Sequence, residues 1–225
     1  LAFLDADNNA SYSVYKDYPN ERLDVPFPPI QEDDIFIMGS YYCLNPQIRE
    51  RVTEFIQYAR DRKAIIYYDP NFRRAHAHEA IHLMPTVLEN LEYADIVRGS
   101  DEDCLNLFQK SDANRVYQDH IRYYCDRFIL TEGAGGVHLF QQGKETHFEA
   151  DPFSVVSTIG AGDNFNAGIL FGLLQLDVRR NDLPHLTEEK WAKIIRCGMD
   201  LASEVCQQYD NYISTEFAQH YRAPL

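Results

Sequence analysis

Residues 35–69 read IFIMGSYYCLNPQIRERVTEFIQYARDRKAIIYYD. Ile35-Phe36-Ile37-Met38 and Ile65-Ile66-Tyr67-Tyr68 are short apolar runs rich in β-branched and aromatic residues, the length of a buried strand and too short for a helix. Between them Ile48, Val52, Phe55 and Ala59 recur at helical spacing on one face, and Pro46 sits near the start, where a missing N–H costs little. Strand, amphipathic helix, strand is the unit that joins two parallel strands by a crossover.

The same alternation runs down the chain. Glu79 to Tyr93 reads as helix despite Pro85, Ile96-Val97 as strand, the segment after Ser100 as helix, and Arg127 to Leu130 as strand. Val137 to Phe140 and Thr146 to Phe148 read as antiparallel strands around the Gln142-Gly143 turn, so the sheet is mixed at one edge. Two helices follow. The first, from about Asp163 to Leu176, places Phe165, Ile169, Leu173 and Leu176 on one face. The second, from about Glu188 to Gln208, aligns Trp191, Ile195, Gly198, Ala202 and Val205.

Upstream of residue 34 the pattern is different. Leu1 to Lys16 alternates apolar and polar residues on either side of Asp7-Asn8-Asn9, which predicts a β-hairpin. Pro19, Pro26, Pro28 and Pro29 then interrupt ladder and helix bonding alike. The expected organisation is a partial β lid and connection over residues 1–30 and an α/β domain over residues 31–225.

The 225 residues are 45% hydrophobic and 25% charged, ordinary for a packed globular chain. The 21 basic and 35 acidic side chains leave a net charge of −14, which repels nucleic-acid phosphates and anionic membrane surfaces. An anionic ligand must then be held by local devices such as backbone N–H groups, a helix N-terminus or a metal ion. The five cysteines are widely spaced and never form C-x-x-C, and they read as reduced thiols. No apolar stretch approaches the about 18 residues of a membrane span. The expectation is a cytoplasmic protein with no nucleic-acid and no membrane partner.

The stretch richest in chemistry is Ser157-Thr158-Ile159-Gly160-Ala161-Gly162-Asp163-Asn164-Phe165-Asn166-Ala167-Gly168. Small residues just before a helix let a ligand approach the backbone, and the N–H groups of the helix start can bind an oxyanion. Asp163 at the helix entrance would be kept ionised by the helix dipole and could accept a proton. Taken alone, it reads equally well as a helix N-cap behind a tight glycine turn.

Three motifs in order resemble those of the ribokinase-like carbohydrate kinases, and most closely their fructokinase branch. Asp69-Pro70-Asn71-Phe72-Arg73 resembles the family's D-P-N-x-R, Thr131-Glu132-Gly133-Ala134-Gly135-Gly136 its T-x-G-x-x-G nucleotide loop, and Gly160-Ala161-Gly162-Asp163 its G-A-G-D. The resemblance implies a three-layer α/β fold with a mainly parallel central sheet and a small β lid. The activity it implies is phosphoryl transfer from ATP to a sugar hydroxyl, fructose to fructose 6-phosphate first. Kinases for ribose, 2-keto-3-deoxygluconate or a nucleoside are alternatives within the family, and a non-catalytic sugar- or nucleotide-binding regulator is the alternative outside catalysis.

The same resemblance assigns roles. Asp163 is the base, with Gly160, Ala161 and Gly162 forming the anion hole; Thr131, Gly133 and Gly136 meet the nucleotide, and Asn71 and Arg73 reach its phosphates. Ser100-Asp101-Glu102-Asp103 stands in place of N-x-x-E, which implies that Asp103 supports Mg²⁺, an acidic helix start being the alternative reading. Ser157 stands where the family carries the Asp of its monovalent-cation site. His76, His78 and His82 lack the further ligands of a zinc pattern. The lid implies a contribution to a homodimer, and the family's sugar-selecting residues are expected in a segment upstream of Leu1.

Overall fold

The computed structural model describes residues 2–4, 10–12 and 23–221. β1 (Ala2–Leu4) and β2 (Ala10–Tyr12) pair antiparallel, as the predicted hairpin requires, with Phe3 opposite Ser11. The Asp7-Asn8-Asn9 turn lies outside the described residues. Backbone contacts divide the chain into two units, residues 18–149 and residues 1–17 with 150–225.

The 18–149 unit is built on six strands in sequential order. β3 (Ile35–Gly39) leads through a 3₁₀ turn at Pro46–Ile48 into α1 (Arg49–Asp61) and β4 (Ile65–Asp69). α2 (Ala80–Tyr93), β5 (Ile96–Ser100), α3 (Asp101–Phe108) and α4 (Ala113–Val116) follow, α4 passing into a π-turn at Tyr117–Ile121. β6 (Arg127–Thr131), β7 (Val137–Gln141) and β8 (Lys144–Phe148) complete the sheet. β3 to β6 run parallel, and β7 and β8 add antiparallel at one edge. β4 is buried along its whole length, as expected for a run with no polar alternation.

One row across the sheet, Met38, Tyr68, Val97, Phe128 and Phe140, is in register and enters the core with Val52, Ile56, Val87 and Leu91 from α1 and α2. Ile56, not Phe55, carries the buried stripe of α1. Ile48, Val52 and Ala59 are buried on the expected face, and Ile56 fills the turn between the last two. Phe55 instead lies at the margin, 4.7 Å from Phe36 and stacked at 4.6 Å on Phe27. The proline-rich connection is pinned there by Arg51, which covers the Phe27 ring and donates to the carbonyls of Leu23 and Val25.

In the other unit, α5 (Ala161–Gln175) packs on α6 (Glu188–Cys206), and α7 (Thr215–His220) follows. The α5–α6 approach is too close for a side chain at Gly168, where a Cβ would stand 2.3 Å from the Cys197 carbonyl oxygen. Among the described residues no helix is long and apolar enough to cross a membrane.

Candidate active site

Within the 18–149 unit, three of the sequence motifs leave the carboxyl ends of three adjacent parallel strands. Asp69-Pro70-Asn71 follows β4, Ser100 to Asp103 follows β5, and Thr131 to Gly136 follows β6. That edge of an open parallel sheet is where α/β folds bind ligands.

Arg98, which the sequence reading missed, ties this edge together. Its guanidinium is buried, donating to Asp69 Oδ2 at 3.0 Å and to Thr131 Oγ1 at 2.6 Å. Burial opposes its charge, yet the carboxylates of Asp69 and Asp103 outweigh that penalty and raise its pKa above the ordinary arginine value. Asp69 also accepts from the Asn71 N–H at 3.0 Å through Oδ1, and from the Ser40 N–H at 3.0 Å through its backbone carbonyl. This turn holds Asn71 at φ 42°, a left-handed conformation that asparagine tolerates. Arg73 is exposed just beyond it.

Ser100 caps α3, and Asp103 completes a capping box by accepting from the Ser100 N–H at 2.9 Å. The capping accounts for Oδ2 of Asp103, with Ser100 Oγ at 2.7 Å from the same oxygen. The loop after β6 forms a 3₁₀ turn over Gly133–Gly135, closed by Glu132 N–H on the Gly136 carbonyl at 2.9 Å. Gly136 has φ 93° and ψ −147°, a region essentially reserved for glycine.

The unit holding residues 150–225 presents the second constellation. α5 begins two residues earlier than the sequence suggested, with Gly160 as N-cap at φ 83°. A Cβ there would lie 2.8 Å from the Asn211 carbonyl oxygen, so the position demands glycine twice over. Asp163 is therefore not the N-cap: it stands in the first turn, exposed, and α5 has no side-chain cap bond. Asn164 instead braces the entrance, donating from Nδ2 to the carbonyls of Gly160 at 2.9 Å and Asn211 at 3.0 Å. Ser157 is buried, and its hydroxyl accepts from the Ile159 N–H at 3.2 Å.

Of the histidines after β4, His78 and His82 are exposed and His76 is partly buried. His76 stacks on Tyr41 with ring centroids 3.7 Å apart, and its Nδ1 lies 3.3 Å from Glu79. A cavity of about 610 Å³ opens beside α2 and α3, lined by Ile81, Met84, Phe108, His120 and Tyr123 among others. It contains none of the motif residues, and its lining mixes apolar side chains with Asn106, Gln109, Asp119 and His120.

The chain matches the pfkB family of carbohydrate kinases over residues 1–217 and belongs to that family. It is 28% identical over 174 residues to aminoimidazole riboside kinase of Salmonella typhimurium, covering 75% of this chain and 53% of that protein. It is 33% identical over 109 residues to a fructokinase of Salmonella thompson, covering 48% and 49%. The chain thus spans about half the length of these curated relatives. A fructokinase structure from Vibrio cholerae, with fructose, ADP and calcium bound, superposes with a TM-score of 0.71 at 19% identity, over 82% of this chain and 58% of that one. The fold is the ribokinase-like α/β fold.

Proposed function

We propose that this chain carries out transfer of a phosphoryl group from ATP to a sugar hydroxyl, with Asp163 as the base. The observation that carries this reading is the placement of Asp163 in the first turn of α5, exposed and not consumed in capping. The N–H groups of that helix start attract an oxyanion beside the carboxylate. The sugar oxygen forms a bond to the γ-phosphorus as the bond to the departing ADP oxygen breaks, and the hydroxyl proton passes to Asp163. Gly160, Ala161 and Gly162 stabilise the charge that develops, positioning and electrostatics supplying the catalysis.

Thr131, Gly133 and Gly136 are read as nucleotide contacts, with Asn71 and Arg73 reaching phosphate oxygens. The Thr131 hydroxyl accepts from Arg98, which leaves its own proton to donate. Mg²⁺ would neutralise phosphate charge when bound. It characteristically keeps several waters and takes one or two carboxylates, which a single Asp103 beyond its capping bonds suits. A cytoplasmic location and a lid-mediated homodimer belong to the same reading.

Fructose is the first substrate to expect, supported by the fructokinase relatives. A riboside is the second, supported by the longer match to aminoimidazole riboside kinase. The test is sugar-dependent ADP release from MgATP across fructose, ribose, 2-keto-3-deoxygluconate and a riboside, with loss of that release in Asp163→Asn. ATP binding without ADP release on any of them would favour a non-catalytic binding protein.

A further inference from the structure

The antiparallel edge of the sheet places a group of ionisable side chains against the glycine loop. His138 on β7 lies between two carboxylates. Its Nδ1 is 2.7 Å from Glu145 Oε1 on β8, and its Nε2 is 3.3 Å from Oε2 of Glu132, the residue that leads into Gly133. His147, its ladder partner on β8, holds its ring 4.4 Å away and donates from Nε2 to the Gly135 carbonyl at 2.8 Å. Asn114 on α4 donates to the other oxygen of Glu145 at 3.2 Å.

Carboxylate oxygens only accept, so both contacts of His138 are hydrogen bonds together only when its ring carries both protons. The loop it reaches has glycine at 133, 135 and 136. Such a segment loses much backbone entropy when it orders around a ligand. A tether that orders it beforehand removes part of that loss from binding.

We propose that His138 is a positioning residue for the loop at 133–136, clamping Glu132 to Glu145, with His147 as the second tether through the Gly135 carbonyl. The inference rests on the reading of this loop as a nucleotide contact. His138 touches no ligand in this scheme and acts through Glu132. The groups facing it are Glu132 from the β6–β7 connection and Glu145 and His147 from β8.

The experiment measures MgATP affinity, thermal melting and deuterium uptake of the loop amides on this chain. His138→Phe keeps a ring against His147 but removes both N–H groups. It should weaken MgATP binding about three- to tenfold, the scale of one or two lost hydrogen bonds, and raise uptake at 133–136 without raising it in α2. His147 is exposed, so its variants serve if His138→Phe does not fold: His147→Phe should weaken binding, and His147→Gln, which can still donate, should restore it. Wild-type affinity in both Phe variants, with MgATP still protecting the wild-type loop from exchange, would overturn the inference alone. A wild-type loop whose exchange MgATP leaves unchanged would overturn the nucleotide-loop reading and the inference with it.

Discussion

Arg98 brings a full charge into the core because Asp69 and Thr131 are placed to receive it. Removing one partner of a buried pair leaves the other charge uncompensated, a loss of about 3–5 kcal/mol. Arg98→Met should therefore lower the free energy of unfolding in urea by about that amount. Adding Asp69→Asn should recover much of it, since the amide oxygen can still receive the Asn71 N–H. A single-variant loss under about 1 kcal/mol would mean that the pair is solvated. The signal was present in the sequence: an arginine after Ile96-Val97, followed by Gly99 and a capping serine. Ending that strand at Val97 hid it, whereas a charge inside a buried strand implies a partner.

α5 and α6 form a helix pair whose approach is set by glycine. Alanine in a helix interior is favoured over glycine by about 1 kcal/mol, but at Gly168 its Cβ would meet the Cys197 carbonyl at 2.3 Å and Gly198 Cα at 2.6 Å. Overpacking of this kind costs about 1–3 kcal/mol, and backbone cannot swing aside. Gly168→Ala should shift the urea midpoint downward by more than Gly172→Ala, whose Cβ would stand 3.0 Å from Ile194 Cα. Equal midpoints would show that the helices separate freely. Helical periodicity revealed both helices and Phe165, Ile169 and Leu173 on the buried face. It did not reveal the start at Ala161, because a run holding Gly160 and Gly162 has poor helix propensity.

Across the whole molecule, the parallel strands were legible because β3 to β6 are short apolar runs at regular spacing, and the antiparallel edge because Gln142-Gly143 marks its turn; their order in the sheet was not read from the sequence. The Arg98 tie was not legible, since Asp69 and Thr131 lie 29 and 33 residues from it and meet it only across the sheet, and the His138 contacts depend on the register of β7 and β8; the capping use of Asp103 by nearby Ser100 was legible only as the alternative of an acidic helix start. The five cysteines are all free and buried. Burial pushes the Cys43 thiol from 9.0 up to about 12 and Cys125 up to about 11, and raises buried Tyr67 and Tyr68 as well. For an acid whose folded pKa is raised, the stability is fully present below the unfolded value and lost as pH climbs through the folded one. Urea midpoints should accordingly hold up to about pH 8 and fall between about pH 9 and about pH 12; a flat profile there would mean that these groups ionise without leaving the core.

The most direct test of Asp163 as the base is Asp163→Asn, with sugar-dependent ADP production measured beside ATP affinity and thermal melting. Asparagine keeps the size of the side chain but accepts no proton from the sugar hydroxyl. Because Asp163 makes no capping bond in α5, melting and ATP affinity should stay close to wild type. Turnover should fall by at least about 10²-fold, the lower end of general-base effects. A folded variant that binds ATP and still turns over near the wild-type rate would contradict the assignment.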